Sequence, residues 1–218
     1  MTARDDVLAR IRQANAAAGV PAAAGAAVSA PAYRAHGERD LAGRLDLLAG
    51  RLADYRATVR RCAPDGLAAE VAAALAERGA RRVVVPPGLD PALLASADAE
   101  VTVDGQPGIL GPTALDEMDA VVTGAAVAIA ETGTIVLDAS PAQGRRAITL
   151  VPDYHLCIVY ADQVAELVPE AVAQLAATAS RPLTWISGPS ATSDIELERV
   201  EGVHGPRTLV VILAAPEV

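Results

Sequence analysis

The chain has 218 residues, 52% of them hydrophobic but only 2% aromatic, and its formal net charge is −9 at pH 7. Every basic residue is Arg, which excludes a P-loop and any Schiff-base mechanism, since both need a lysine amine. The acidic balance argues against a nucleic-acid-binding face, and the length allows one substantial core or at most two small ones.

With no Phe, that core has to be built from Ala, Val, Leu and Ile, a composition suited to helices packed on aliphatic strands. The start carries Asp5 and Asp6 and leads into an amphipathic pattern, not an apolar signal core. No uninterrupted apolar run is long enough to span a bilayer, so no membrane insertion and a cytoplasmic location are expected. Cys62 and Cys157 lie far apart, and His36, His155 and His204 are scattered. Neither the four thiolates of an iron–sulfur cluster nor the local spacing of a zinc site is present, so the expectation is two inert thiols, no metal and no cofactor.

Residues 3–18 read as a helix with Thr2 as a cap and Val7, Leu8 and Ile11 on one face. Residues 14–37 are rich in Ala, Gly and Pro and read as a linker. A second helix is predicted over 40–61, where Leu41, Leu45, Leu48, Leu52, Tyr55 and Val59 form one stripe. The stripe packs either on the domain's own sheet or on a partner. Pro64-Asp65 opens a further helix that Gly79 closes. Strands follow at 82–85, 100–103, 120–123, 126–131, 134–138, 155–160, 183–187 and 208–213, with helices at 91–96 and 169–178. The pattern predicts an α/β fold: a single Rossmann-like domain over 63–218, its mainly parallel sheet flanked by helices, preceded by a helical N-terminal arm with an Ala/Pro-rich linker over 1–62.

Polar and glycine residues gather at several strand ends, where α/β sheets bind ligands. In Glu131-Thr132-Gly133-Thr134 a tight hairpin accounts for the glycine and threonines but not for a carboxylate ending an apolar strand. Such a group can hold a substrate, act as a base or attack an acyl carbon. The run Ser187-Gly188-Pro189-Ser190-Ala191-Thr192-Ser193-Asp194 reads either as a capping loop or as an anion site in which Ser190, Thr192 and free backbone N–H groups hold the charge. His204, between Gly202 and Gly205, is an accessible group that titrates near neutrality. Arg145-Arg146 after Gly144 is either a solvated pair or a carboxylate clamp.

Taken together, Glu131–Leu137, Gly144–Arg146, Pro152–His155, Trp185–Glu196 and Glu201–Arg207 resemble, in order and spacing, the LUD domain of the lactate utilization C family. The resemblance is close over about 121–213 and general before that. It implies a fold related to sugar-phosphate isomerases, formyltetrahydrofolate cyclo-ligases and CoA transferases. It further implies membership of a three-protein system oxidising L-lactate to pyruvate, in effect a subunit of an L-lactate dehydrogenase complex, with the iron–sulfur centres on the two partner subunits. The expected site residues are Glu131, Thr132, Gly133, Thr134, Arg145, Arg146, Ser187, Gly188, Ser190, Thr192, Asp194, His204 and Gly205, around a small anionic ligand that is lactate-like, phosphorylated or CoA-like. Two alternatives stay open. One is an acyl- or CoA-transferase-like or isomerase-like enzyme using Glu131; the other is an assembly module whose partner surface is the 41–59 stripe.

Overall fold

A computed structural model describes residues 3–19, 33–188 and 205–216. The chain divides into two units, Met1–Tyr33 and Arg34–Val218. The first contains α1 (Ala3–Ala17), none of whose side chains is buried. Val7 and Ile11 of its short apolar stripe are exposed.

The second unit runs α2 (Leu41–Asp54), β1 (Thr58–Cys62), α3 (Leu67–Arg78), β2 (Arg82–Val85), β3 (Glu100–Val103), α4 (Pro112–Asp116), β4 (Ala120–Gly124), β5 (Val127–Ile129), β6 (Thr134–Leu137), α5 (Arg146–Leu150), β7 (Tyr154–Tyr160), β8 (Val164–Ala165), α6 (Val168–Gln174), β9 (Thr184–Ile186) and β10 (Thr208–Ala214). Six strands form a wholly parallel sheet in the order β1-β10-β7-β4-β2-β3. The α/β architecture predicted from the sequence is therefore present. A second, mixed sheet was not anticipated: β8-β5-β6-β9, with β5 antiparallel to β6 and parallel to β8.

Alternation along β10 sends its side chains into two cores. Val210, Ile212 and Ala214 join Leu156 and Ile158 of β7 under Leu67, Val71 and Leu75 of α3. Leu209, Val211 and Leu213 face the other way, with Cys157 and Val159, onto Leu45, Leu48 and Leu52 of α2 and Ala128, Ile135 and Leu137 of the small sheet. The outer face of the small sheet is covered by α6 through Ala171 and by Leu175 just after it.

Two corrections concern the predicted arm. The helix expected over 40–61 stops at Asp54, because Arg56 takes a left-handed φ of 64° and the β-branched pair Thr58-Val59 then pairs with Val210 and Val211. Val59 nonetheless packs against the same core as the stripe leucines. The leucine stripe is consequently internal to the α/β unit, which begins at Arg34 and not at residue 63. Elsewhere the helix expected at 91–96 is a 3-10 turn over Pro91–Leu94, while Gly79 closes α3 with φ 71° as predicted. Asp40 caps α2, accepting from the Gly43 N–H at 2.8 Å.

Candidate functional site at the amino edge of the sheet

Because the six strands run parallel, residues that precede them line one edge, the amino edge, and residues that follow them line the carboxyl edge. The tip between β5 and β6 is a four-residue turn, Ala130–Gly133, a wider turn than the tight hairpin expected. Gly133 has φ 63° and lies so close to α2 that a Cβ there would sit 2.7 Å from that of Arg51. Gly188, with φ 80°, packs against the end of the same helix, where an added Cβ would lie 2.5 Å from that of Tyr55. Tyr55 precedes β1, so both turns belong to the amino edge.

Register then joins the two turns. β6 pairs with β9 with Ile135 opposite Ile186, which brings Thr134 beside Ser187. Thr132 Oγ1 lies 2.8 Å from Thr134 Oγ1, which lies 2.8 Å from Ser187 Oγ. Thr134 is buried, and Thr132 and Ser187 are half-buried, so the row of hydroxyls is closed at its centre and partly open at both ends. A hydroxyl both donates and accepts, so such a row can serve an anion or pass a proton.

Glu131 is exposed at the tip and accepts a hydrogen bond from Arg34 Nη2 at 2.9 Å. Its backbone N–H donates to the Glu166 carbonyl at 3.0 Å, extending the β5–β8 ladder by one residue. Glu166, whose side chain is only 2% exposed, accepts from the Arg39 N–H at 2.6 Å and from Arg39 Nη1 at 2.7 Å. The Arg39 amide first, and its guanidinium with it, hold the Glu166 carboxyl below the usual range. Glu170 accepts from the Gly37 N–H at 2.9 Å. Residues 34–39, of which 34–37 read as the end of a linker, are thus held by three acids, Glu131, Glu166 and Glu170.

Gly205 also lies at the amino edge, just before β10, where a Cβ would be 3.9 Å from Leu150 Cδ2. Arg145 does not. Its guanidinium grips Asp104 with two hydrogen bonds, 2.7 Å from Nε and 2.9 Å from Nη2, and donates to the Leu110 carbonyl at 2.6 Å. Asp104 follows β3, so this clamp stands at the carboxyl edge and fastens a loop there. Hydrogen bonding from Arg145 holds the buried Asp104 carboxyl below its ordinary range. Arg146 opens α5 beside it and is exposed. The two arginines are therefore not brought to the hairpin tip. Ser190, Thr192, Asp194 and His204 lie outside the described residues.

His155 and Cys157 are fully buried between the layers, with His155 Nε2 2.8 Å from Thr123 Oγ1 and Cys157 Sγ 4.0 Å from the same oxygen. Burial pushes the Cys157 thiol up to about 12, so it is inert as a nucleophile. Among the described residues no three His, Cys, Asp or Glu side chains converge to hold a metal. No helix there is long and apolar enough to cross a membrane.

Residues 113–214 match the LUD domain. A lactate utilization protein C of Deinococcus radiodurans is 51% identical over 165 residues, 75% of this chain and 76% of that one. This chain belongs to the lactate utilization protein C family. A Bacillus subtilis lactate utilization protein C is 32% identical over 101 residues, 43% of this chain and 41% of that protein. A crystal structure of a DUF162 family protein from Deinococcus radiodurans superposes with a TM-score of 0.70 at 41% identity, over 81% of this chain and 99% of that one. The LUD match contains the hairpin tip, Ser187, Gly188 and Gly205, whereas Arg34, Arg39 and Arg51 lie before it.

Sequence reasoning missed Arg34, Glu166 and Glu170. One signal was available. An acid ends the apolar run Ala128-Ile129-Ala130-Glu131, and another ends Val164-Ala165-Glu166, the two strands that turn out to be paired.

Proposed function

We propose that this chain takes part in lactate utilization as a non-redox component of a lactate-oxidising system. In this reading it works in the cytoplasm with iron–sulfur partner subunits and binds a small anionic ligand at the amino edge, between the Glu131–Thr134 tip and Ser187. The observation that carries the reading is the 51% identity, across three quarters of both chains, to a protein named for lactate utilization. The chain's chemistry is consistent with a role outside electron transfer. Its two cysteines cannot supply the four thiolates of a cluster, and Cys157 is sealed in the core. Support for the site comes from its construction. Three hydroxyls stand in hydrogen-bonding sequence, ending at Thr132, the residue after Glu131, on two turns whose glycines leave no room for a side chain.

The test is growth on L-lactate as sole carbon source in a strain deleted for this chain and complemented with variants. Wild type restores growth. A Ser187→Ala chain, which lacks a half-buried hydroxyl, should accumulate to normal levels yet leave growth at the level of the deletion. A deletion strain that grows normally on lactate removes the functional reading. A Ser187→Ala chain that grows like wild type removes the site.

A further inference from the structure

An anion site needs a cation or several converging N–H groups. The arginine pair that the sequence offers for that role is at the opposite edge, with the Arg145 guanidinium committed to Asp104 and to the Leu110 carbonyl. A cation bonded to the hairpin tip is Arg34, with Nη2 2.9 Å from Glu131 Oε1. We propose that Arg34 receives the carboxylate of the ligand, and that Glu131 is an internal carboxylate with which the ligand exchanges. The proposal rests on the reading of the amino edge as the ligand site, and it specifies what that site recognises: a short carboxylate, not a neutral carbonyl compound.

Three features support it. The first is the form of the pair. Among the described residues Glu131 is the partner of Arg34 and engages one nitrogen only, whereas a guanidinium offers a fork that matches both oxygens of a carboxylate. Both side chains are largely solvated, at 61% and 46% exposure, so the pair is weak and screened and an incoming carboxylate can replace it. The second is positioning. Arg34 stands three residues before Gly37, whose N–H is held by Glu170 and whose missing side chain is required, since a Cβ would come within 2.3 Å of Glu166 Cδ. Two residues further on, Arg39 is fixed to Glu166 through its backbone and its guanidinium. The strap that presents Arg34 is thus pinned at both Gly37 and Arg39, and the pinning residue Glu166 is itself bonded through its carbonyl to the N–H of Glu131. Cation and carboxylate share one rigid frame. The third is charge. In a chain of net charge −9 an anion needs a local reason to approach, and Arg34 supplies one at the tip, whereas Arg51 nearby is paired with Asp54 at 3.8 Å.

The experiment is calorimetric or ligand-observed NMR titration of the full chain with sodium L-lactate and, separately, with neutral L-lactamide. Wild type binds L-lactate and not L-lactamide. Arg34→Gln weakens L-lactate binding about tenfold or more, and Arg34→Lys, which keeps the charge but not the fork, recovers part of it. Glu131→Gln removes the internal competitor and tightens binding by up to about fivefold, an increase that a merely structural role for the pair would not produce. Unchanged circular dichroism and melting temperature establish that each variant is folded. The assignment is overturned if wild type binds no L-lactate, if L-lactamide binds equally well, or if Arg34→Gln binds L-lactate like wild type. Growth separates this from the broader reading. A deletion strain restored to growth on lactate by wild type and equally by Arg34→Gln removes Arg34 alone, whereas normal growth without any chain removes the role in lactate utilization.

Discussion

Leu48→Ala is expected to destabilise the α/β unit by roughly 2–5 kcal/mol, enough to remove most of the stability of a typical domain. Leu48 is fully buried, and with Leu45 and Leu52 it fills the space between α2, Leu213 of β10 and the small sheet. Truncation loses the transfer free energy of the deleted methyl groups and leaves a cavity that the two sheets cannot collapse into, because each is held by its own ladder. Urea unfolding followed by far-UV circular dichroism measures the effect. A loss below about 0.5 kcal/mol would mean that the leucine stripe is an independent arm or a docking surface and not part of this core. Val7→Ala and Ile11→Ala in α1, whose side chains are exposed, serve as the comparison and should change stability within that margin.

Between pH 7 and pH 4.5 the folded state should lose about 2–3 kcal/mol through His155 alone. Its ring is fully buried beside Thr123, and burial pushes its pKa down from 6.5 to about 4. The unfolded chain therefore takes up a proton as pH falls below 6.5, while the folded chain keeps the imidazole neutral until about 4. The stability that depends on the neutral ring is complete above pH 6.5 and is lost progressively through the window from 6.5 to 4. His155→Gln keeps a neutral hydrogen-bonding group within reach of Thr123 and removes the titration. Urea midpoints at pH 7 and pH 4.5 should fall much less in this variant than in wild type. Equal falls would mean that His155 is solvated or charged in the folded state. The carboxylates of Asp104 and Glu166 also have depressed pKa values, but their contribution is lost only below the ordinary carboxylate range, so it lies mostly under this window.

Why some of this was legible in the sequence and some was not follows from the range of the forces involved. Strands such as Arg82–Val85 and Thr208–Ala214 announce themselves by consecutive β-branched and aliphatic residues, and α3 by its stripe and Gly79; these are local signals. β1 was hidden because Val59 continues the spacing of the leucine stripe, and only pairing with β10, some 150 residues away in sequence, decides its conformation. β8 has two residues, too few for any periodicity. The division of the strands between two sheets is likewise non-local, since β5 and β6 are as aliphatic as the strands of the main sheet. At the site, glycines that need positive φ marked the two turns, and β6–β9 register brought them together. The misplacement of Arg145 has the same origin as that of β1: its acceptor Asp104 is 41 residues away and the sequence gives no sign of it. Arg34 escaped notice because its neighbours lack periodicity and the segment that carries it is held by Glu131, Glu166 and Glu170 across the fold.

Under the proposed function, lactate oxidation requires this chain although it carries none of the electrons. The most direct measurement is the rate at which the purified iron–sulfur partner proteins oxidise L-lactate to pyruvate with an added electron acceptor, with and without this chain. The rate should depend on the chain, and the Ser187→Ala chain should not replace it. A full rate in its absence would contradict the account.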